Sequence, residues 1–145
     1  AYKQLEINKK WKIFSLPFVS DVCELAALLF LLSGQKTITA DTGQSITLSC
    51  QAANSSIIVV EWSRADLGDK YVFLYRDDQS LQDKQHPSFT NRVDLQDKQM
   101  KDGDVSLILK NVTINDNGTY ECHVFMEKTW ISLCNITLSV DPPGE

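Results

Sequence analysis

Between Gln44 and Cys50 every second residue is apolar: Ile46, Leu48 and Cys50 share one parity, and Ser45, Thr47 and Ser49 share the other. A period of two predicts a half-buried β-strand. Asp41-Thr42-Gly43 before it is turn material. Ile57 to Arg64 is β-branched and carries Trp62, and Tyr71 to Tyr75 has high β propensity. Thr90 to Leu95 and Val105 to Leu109 alternate again, and Gly118 to Phe125 and Ile131 to Val140 complete the set. The segments around Gly68 and from Asp77 to Pro87 are polar and read as turn and loop. After residue 35, helical periodicity never persists beyond two turns. Short strands at near-regular spacing, broken by polar turns, predict an all-β sandwich or barrel.

Parity also sorts faces. Tyr120, Cys122 and Val124 are expected inside, which turns Glu121, His123 and Phe125 outward. Trp62 is expected inside, between outward Glu61 and Ser63. Val72 and Leu74 fit the interior, leaving Tyr71, Phe73 and Tyr75 outside. An outward row of Tyr71, Phe73, Tyr75, His123 and Phe125, with Trp130 and Met126 exposed at the sandwich tip, is expected to form a partner-binding face, with packing of Tyr71 and Phe73 under neighbouring loops as the competing expectation. Aromatic residues are enriched in protein contacts.

Three features coincide along the chain. Cys50 closes one alternating strand, Trp62 follows in the next, and Asp116-Asn117-Gly118-Thr119-Tyr120-Glu121-Cys122 supplies a late cysteine. This Cys…Trp…Asp-x-Gly-x-Tyr-x-Cys pattern resembles the immunoglobulin variable-set family, over about Gln35 to Val140. The resemblance implies a V-type β-sandwich of two antiparallel Greek-key sheets. It implies one inter-sheet disulfide, Cys50–Cys122, covered by Trp62. A loop of that length corresponds to roughly 4 kcal/mol of lost unfolded-state entropy. It further implies a tyrosine corner at Tyr120 and an Arg92–Asp116 salt bridge across the base. Gly43-x-Ser45-x-Thr47-Leu48-x-Cys50, Tyr75-Arg76, His86-Pro87-Ser88-Phe89 with Arg92-Val93, and Asp104 to Val112 resemble the membrane-distal domains of butyrophilins and of myelin-oligodendrocyte-glycoprotein-type proteins. That resemblance implies a cell-surface ligand modulating lymphocyte, in particular T-cell, responses through the face formed by its C, C′, F and G strands. Antigen-receptor domains carry a Gly-x-Gly bulge in the last strand. Here Ser132-Leu133-Cys134-Asn135 stands there, which argues against an antibody or T-cell receptor chain. Cys134 is then an odd cysteine: a buried thiol, an inter-chain bridge, or a bond to a cysteine elsewhere.

Residues 1–34 are expected to be a leader-type segment with an incomplete start. Leu25 to Leu32 is a short apolar run ending at Ser33-Gly34, and Lys9-Lys10-Trp11-Lys12 supplies a basic region. An amphipathic helix packed on the domain is the competing expectation. Residues 35–141 are expected to be the V-type domain, and 142–145 a linker. Cys23 would leave with the leader.

The formal net charge is −5 over 145 residues, and the basic residues are not clustered on the domain. Phosphate-binding surfaces need such clusters, so nucleic acid is a poor partner, as is an anionic membrane surface. No cysteine spacing matches a metal site, and neither His86 nor His123 lies in a nucleophile motif. No catalytic residue, cofactor, metal or small-molecule substrate is therefore expected. The expected partner is a protein receptor or counter-ligand on another cell, with homophilic adhesion or a secreted protein as alternatives. Any membrane attachment would come from a span outside this segment. Asn54, Asn111, Asn117 and Asn135 all begin N-glycosylation acceptor triplets. Four in so short a span point to an extracellular location, either secreted or on the external side of the plasma membrane.

Overall fold

The computed structural model describes residues 35–54 and 56–144. The expected leader, with Cys23, lies outside the described residues. The described residues form nine strands, most of them rich in β-branched or aromatic residues: β1 Gln35–Asp41, β2 Ile46–Leu48, β3 Ile57–Arg64, β4 Phe73–Arg76, β5 Gln79–Ser80, β6 Val93–Leu95, β7 Leu107–Leu109, β8 Gly118–Met126 and β9 Thr129–Asp141. They build a six-stranded sheet ordered β1-β9-β8-β3-β4-β5 and a three-stranded sheet ordered β2-β7-β6. All pairings are antiparallel except β1 on β9, which run parallel with Gln35 opposite Asn135.

The inward parities of both sheets meet in one core. Leu48, Val60, Trp62, Leu107, Leu109, Val124 and Tyr120 are fully buried within it. Trp62 donates its indole N–H to the Val105 carbonyl at 3.0 Å, so its polar atom is satisfied inside the apolar interior. The Tyr120 hydroxyl donates to the Asp116 carbonyl at 2.6 Å and accepts from Arg64 Nη1 at 3.1 Å. Burial pushes that phenol up to about 12. Arg92 grips Asp116 through both guanidinium nitrogens, at 3.2 and 2.5 Å, and Asp116 is almost fully buried. The guanidinium carbons of Arg64 and Arg92 lie 5.4 and 5.8 Å from the centre of the Phe89 ring. Two cations on one ring close the base of the sandwich. Gly118 stands at φ 152, where a Cβ would meet Arg64 Cδ at 2.8 Å, so this position needs glycine to admit the arginine.

Two expectations are corrected. Cys50 is joined to Cys134, with Cα atoms 6.0 Å apart, and not to Cys122. The cause lies in β9. Its register against β8 shifts between Cys122 and His123, leaving Leu133 as the extra residue of a bulge. Cys134 thereby comes opposite Cys122 with the same inward parity, within reach of Cys50 on the other sheet. Cys122 remains a buried thiol, and burial raises its pKa well above the ordinary range, with Glu61 adding to the effect. The clamp between the sheets survives, closing a loop of 84 residues. Loop entropy grows only logarithmically, so the expected stabilisation is again about 4 kcal/mol.

The second correction concerns β4. Phe73 and Tyr75 are buried, 4% and 7% exposed, and do not face outward. Register decides this: Phe73 pairs with inward Trp62, Tyr75 with inward Val60, and Leu74 with outward Glu61. Val72 is also buried, because the chain bends there before the strand begins and its N–H bonds the Trp62 carbonyl. Five consecutive apolar residues therefore do not follow one alternation.

Candidate protein-binding face

The outer face of the six-stranded sheet is organised in rows by cross-strand register. Arg76, Val59, Phe125 and Trp130 form one row across β4, β3, β8 and β9. Leu74, Glu61, His123 and Ser132 form the next. Ser63, Glu121 and Asn135 form a third, extended by Gln35 of β1. Directly opposed residues in antiparallel strands share a face with Cβ atoms about 5 Å apart, so each row is one band of contiguous surface.

The first row is the apolar one. Phe125 and Trp130 meet edge to face, with ring centroids 5.3 Å apart at 62°, the geometry aromatic quadrupoles favour. Val59 beneath them is buried yet stands outside the core cluster. Ile58, at the β3 irregularity beside this row, is 54% exposed. The hairpin turn at Glu127 and Lys128 joins β8 to β9, and both residues take left-handed backbone. Met126, expected at the exposed tip, is buried at 2%. Trp130 is half-buried, not fully exposed.

The second row is polar at its centre. Tyr71 hydrogen-bonds Glu61, and burial together with that carboxylate raises its phenol. His123 Nε2 lies 3.6 Å from Glu121 Oε2, two residues away on the same strand face. The whole face thus grades from an aromatic end through Leu74 to a Tyr-Glu-His-Glu group. Of the residues expected there, Tyr71, His123, Phe125 and Trp130 come together, and Phe73 and Tyr75 do not. Leu74 and Ile58 were missed. Arg76 carried the signal for Leu74: a charged residue must face water, and counting back two places puts Leu74 beside it.

A groove of about 720 Å³ opens at the sheet edge beside Cys50, Ser106 and Cys134. It holds no nucleophile–base pair. His86, the other histidine, caps the turn at Pro87–Phe89 by accepting from the Ser88 N–H. Among the described residues no group of His, Cys, Asp and Glu has the arrangement of a metal site. The acceptor asparagines are scattered. Asn111 and Asn117 are exposed at the base, Asn54 is half-buried in the loop before β3, and Asn135 is half-buried in β9.

The description "Immunoglobulin V-set domain" belongs to a family profile that matches residues 33–141. The chain belongs to the immunoglobulin V-set family. This V-set domain is 28% identical over 106 residues to human butyrophilin subfamily 2 member A2, covering 70% of this chain and 20% of that protein. It is 28% identical over 110 residues to mouse selection and upkeep of intraepithelial T-cells protein 8, covering 74% of this chain and 27% of that one. The chain therefore spans about a fifth to a quarter of these relatives. In three dimensions it superposes on the human B7-H4 IgV-like domain with a TM-score of 0.62 and 26% identity, covering 70% of this chain and 90% of that one. No helix of the described residues is long and apolar enough to cross a membrane.

Proposed function

We propose that this V-set domain is a non-catalytic binding module. It is presented outside the cell, and it engages a protein on an opposing cell through the outer face of its six-stranded sheet. Its role on this reading is that of a butyrophilin-like ligand modulating lymphocyte responses. One observation carries the reading: the Phe125–Trp130 pair stands in an apolar row directly beside the row that carries Glu61 and His123. An aromatic anchor beside a polar surround is the composition of a protein-contact hot spot. Similarity to a butyrophilin and to a mouse protein named for T-cell upkeep supports the class of target.

Staining of lymphocytes with a tagged, monomeric form of the chain tests this. Phe125→Ala and Trp130→Ala should each reduce staining at least tenfold, whereas Thr47→Ala, exposed on β2 of the three-stranded sheet, should not change it. Undiminished staining by a folded double variant excludes this face. Concentration-dependent self-association of the purified chain, lost in the same variants, would replace the ligand reading with homophilic adhesion.

A further inference from the structure

Asn111 occupies the turn after β7, at the end of the sandwich where β8 begins. Its backbone is left-handed at φ 53 and its side chain is exposed. Its carbonyl accepts from Arg92 Nη2 at 3.3 Å, while its side-chain amide bonds nothing among the described residues. The other acceptor asparagines are more committed. Asn54 donates its amide to Glu127 Oε1 at 3.1 Å and accepts from the Ser56 N–H at 2.9 Å. Asn117 Oδ1 accepts from the Val140 N–H. Asn135 lies half-buried mid-strand, in register between Glu121 and Gln35.

We propose that Asn111 is the N-glycosylated position of this domain, and that its glycan covers the base of the sandwich while leaving the Phe125–Trp130 end open. In the transfer step Nδ2 loses a proton and bonds the anomeric carbon of a lipid-pyrophosphate-linked oligosaccharide. The lipid pyrophosphate leaves, and nothing is oxidised. From Gly118 to Met126 is eight residue steps along β8. At about 3.3 Å per step this separates the glycan end from the aromatic row by roughly 25 Å.

Both residues of the acceptor pair also serve the fold. Asparagine tolerates the left-handed turn. Thr113 caps the 114–116 turn, its Oγ1 accepting from the Asn115 N–H at 3.2 Å. The experiment separates these roles. The full chain is passed through an animal-cell secretory pathway, treated with peptide N-glycosidase in heavy-oxygen water, and mapped by mass spectrometry. Wild type and Thr113→Ser, which keeps both cap and acceptor hydroxyl, should carry the heavy-oxygen aspartate at 111. Asn111→Gly, which keeps the turn, should lose that label and one glycan's mass. An unlabelled position 111 in folded, exported wild type overturns the proposal, as does label confined to Asn54, Asn117 or Asn135. If Asn111→Gly does not fold, the wild-type map alone decides. The readout involves no partner, so its failure leaves the binding-face reading untouched.

Discussion

Removing the Asp116 carboxylate isolates the contribution of the buried ion pair at the base. Asp116 accepts from Arg92 Nη1 at 3.2 Å, from Arg92 Nη2 at 2.5 Å and from the Thr113 N–H at 2.9 Å. Its side chain is 3% exposed and that of Arg92 is 25% exposed. Stripping one partner from a buried pair costs about 3–5 kcal/mol, because a charge is left uncompensated. Here the loss is smaller, since Arg92 keeps the carbonyls of Ser88, Lys110 and Asn111 and retains some solvent. Discounting to about 2 kcal/mol and adding about 1 kcal/mol for the orphaned Thr113 N–H gives about 3 kcal/mol for Asp116→Ala. For a domain of this size that lowers Tm by roughly 10–20 °C. The control is Lys98→Ala, whose pairing with Asp94 spans 3.4 Å between side chains 67% and 42% exposed. Solvent screening holds that loss below about 0.5 kcal/mol. Urea unfolding followed by intrinsic tryptophan fluorescence measures both. Equal effects of the two variants, or a loss below about 1 kcal/mol for Asp116→Ala, would refute the claim that burial sets the difference.

Phe73→Ala should cost about 3–5 kcal/mol in the same unfolding assay, because its ring is in the core. Phe125→Ala should cost well under that and act on partner staining instead, and the reverse order would contradict the β3–β4 register. The fold favours the protonated Tyr120 phenol, at about 12 against the ordinary 10. That stability is complete below about pH 10 and drains as pH rises toward 12, by up to about 3 kcal/mol. Tyr120→Phe should therefore show a shallower alkaline loss of stability than wild type, and parallel profiles would count against this. The Cys122 thiol should resist a water-soluble maleimide in the native protein and react only on unfolding, with Cys50 and Cys134 recovered as one linked peptide. Native labelling of Cys122, or a bridge that includes it, would show the pairing to be otherwise.

Strand positions were legible where chemistry and period coincide. Ile46 to Cys50 alternates cleanly because one face meets water, and β3 is marked by β-branched residues around a single tryptophan. Arg92, Asp116 and Tyr120 were readable as a group through the resemblance carried by Asp-x-Gly-x-Tyr-x-Cys, and the structure gives the buried charge and the buried phenol their partners. The rest depended on information that is not local. Tyr71 to Tyr75 offers no polar residue to fix its parity, so the bend at Val72 and the register with β3 decide it. The cysteine pairing turns on one extra residue in β9, which reverses which side chains beyond it face inward. β1 pairs in parallel with a strand a hundred residues further along, which its own sequence, Gln35 to Asp41, does not announce.

That register also determines what kind of surface the domain can present. An outer face carrying Tyr71, Phe73, Tyr75, Phe125 and Trp130 together would be a continuous aromatic patch, a hazard for any exported domain. Pairing Phe73 with Trp62 and Tyr75 with Val60 moves two of those rings into the core and brings Leu74 and Arg76 out in their place. The remaining outward rings, Phe125 and Trp130, are half-buried and cover part of each other. Beside them Tyr71, Glu61, His123 and Glu121 form a polar group whose members a partner must match or leave unsatisfied. Burying those groups against a mismatched surface would strip water from them without replacing it, at a cost in free energy. On the proposed face, the aromatic row supplies adhesion and the polar row supplies discrimination. Both follow from the step that puts Leu74, not Phe73, opposite Glu61.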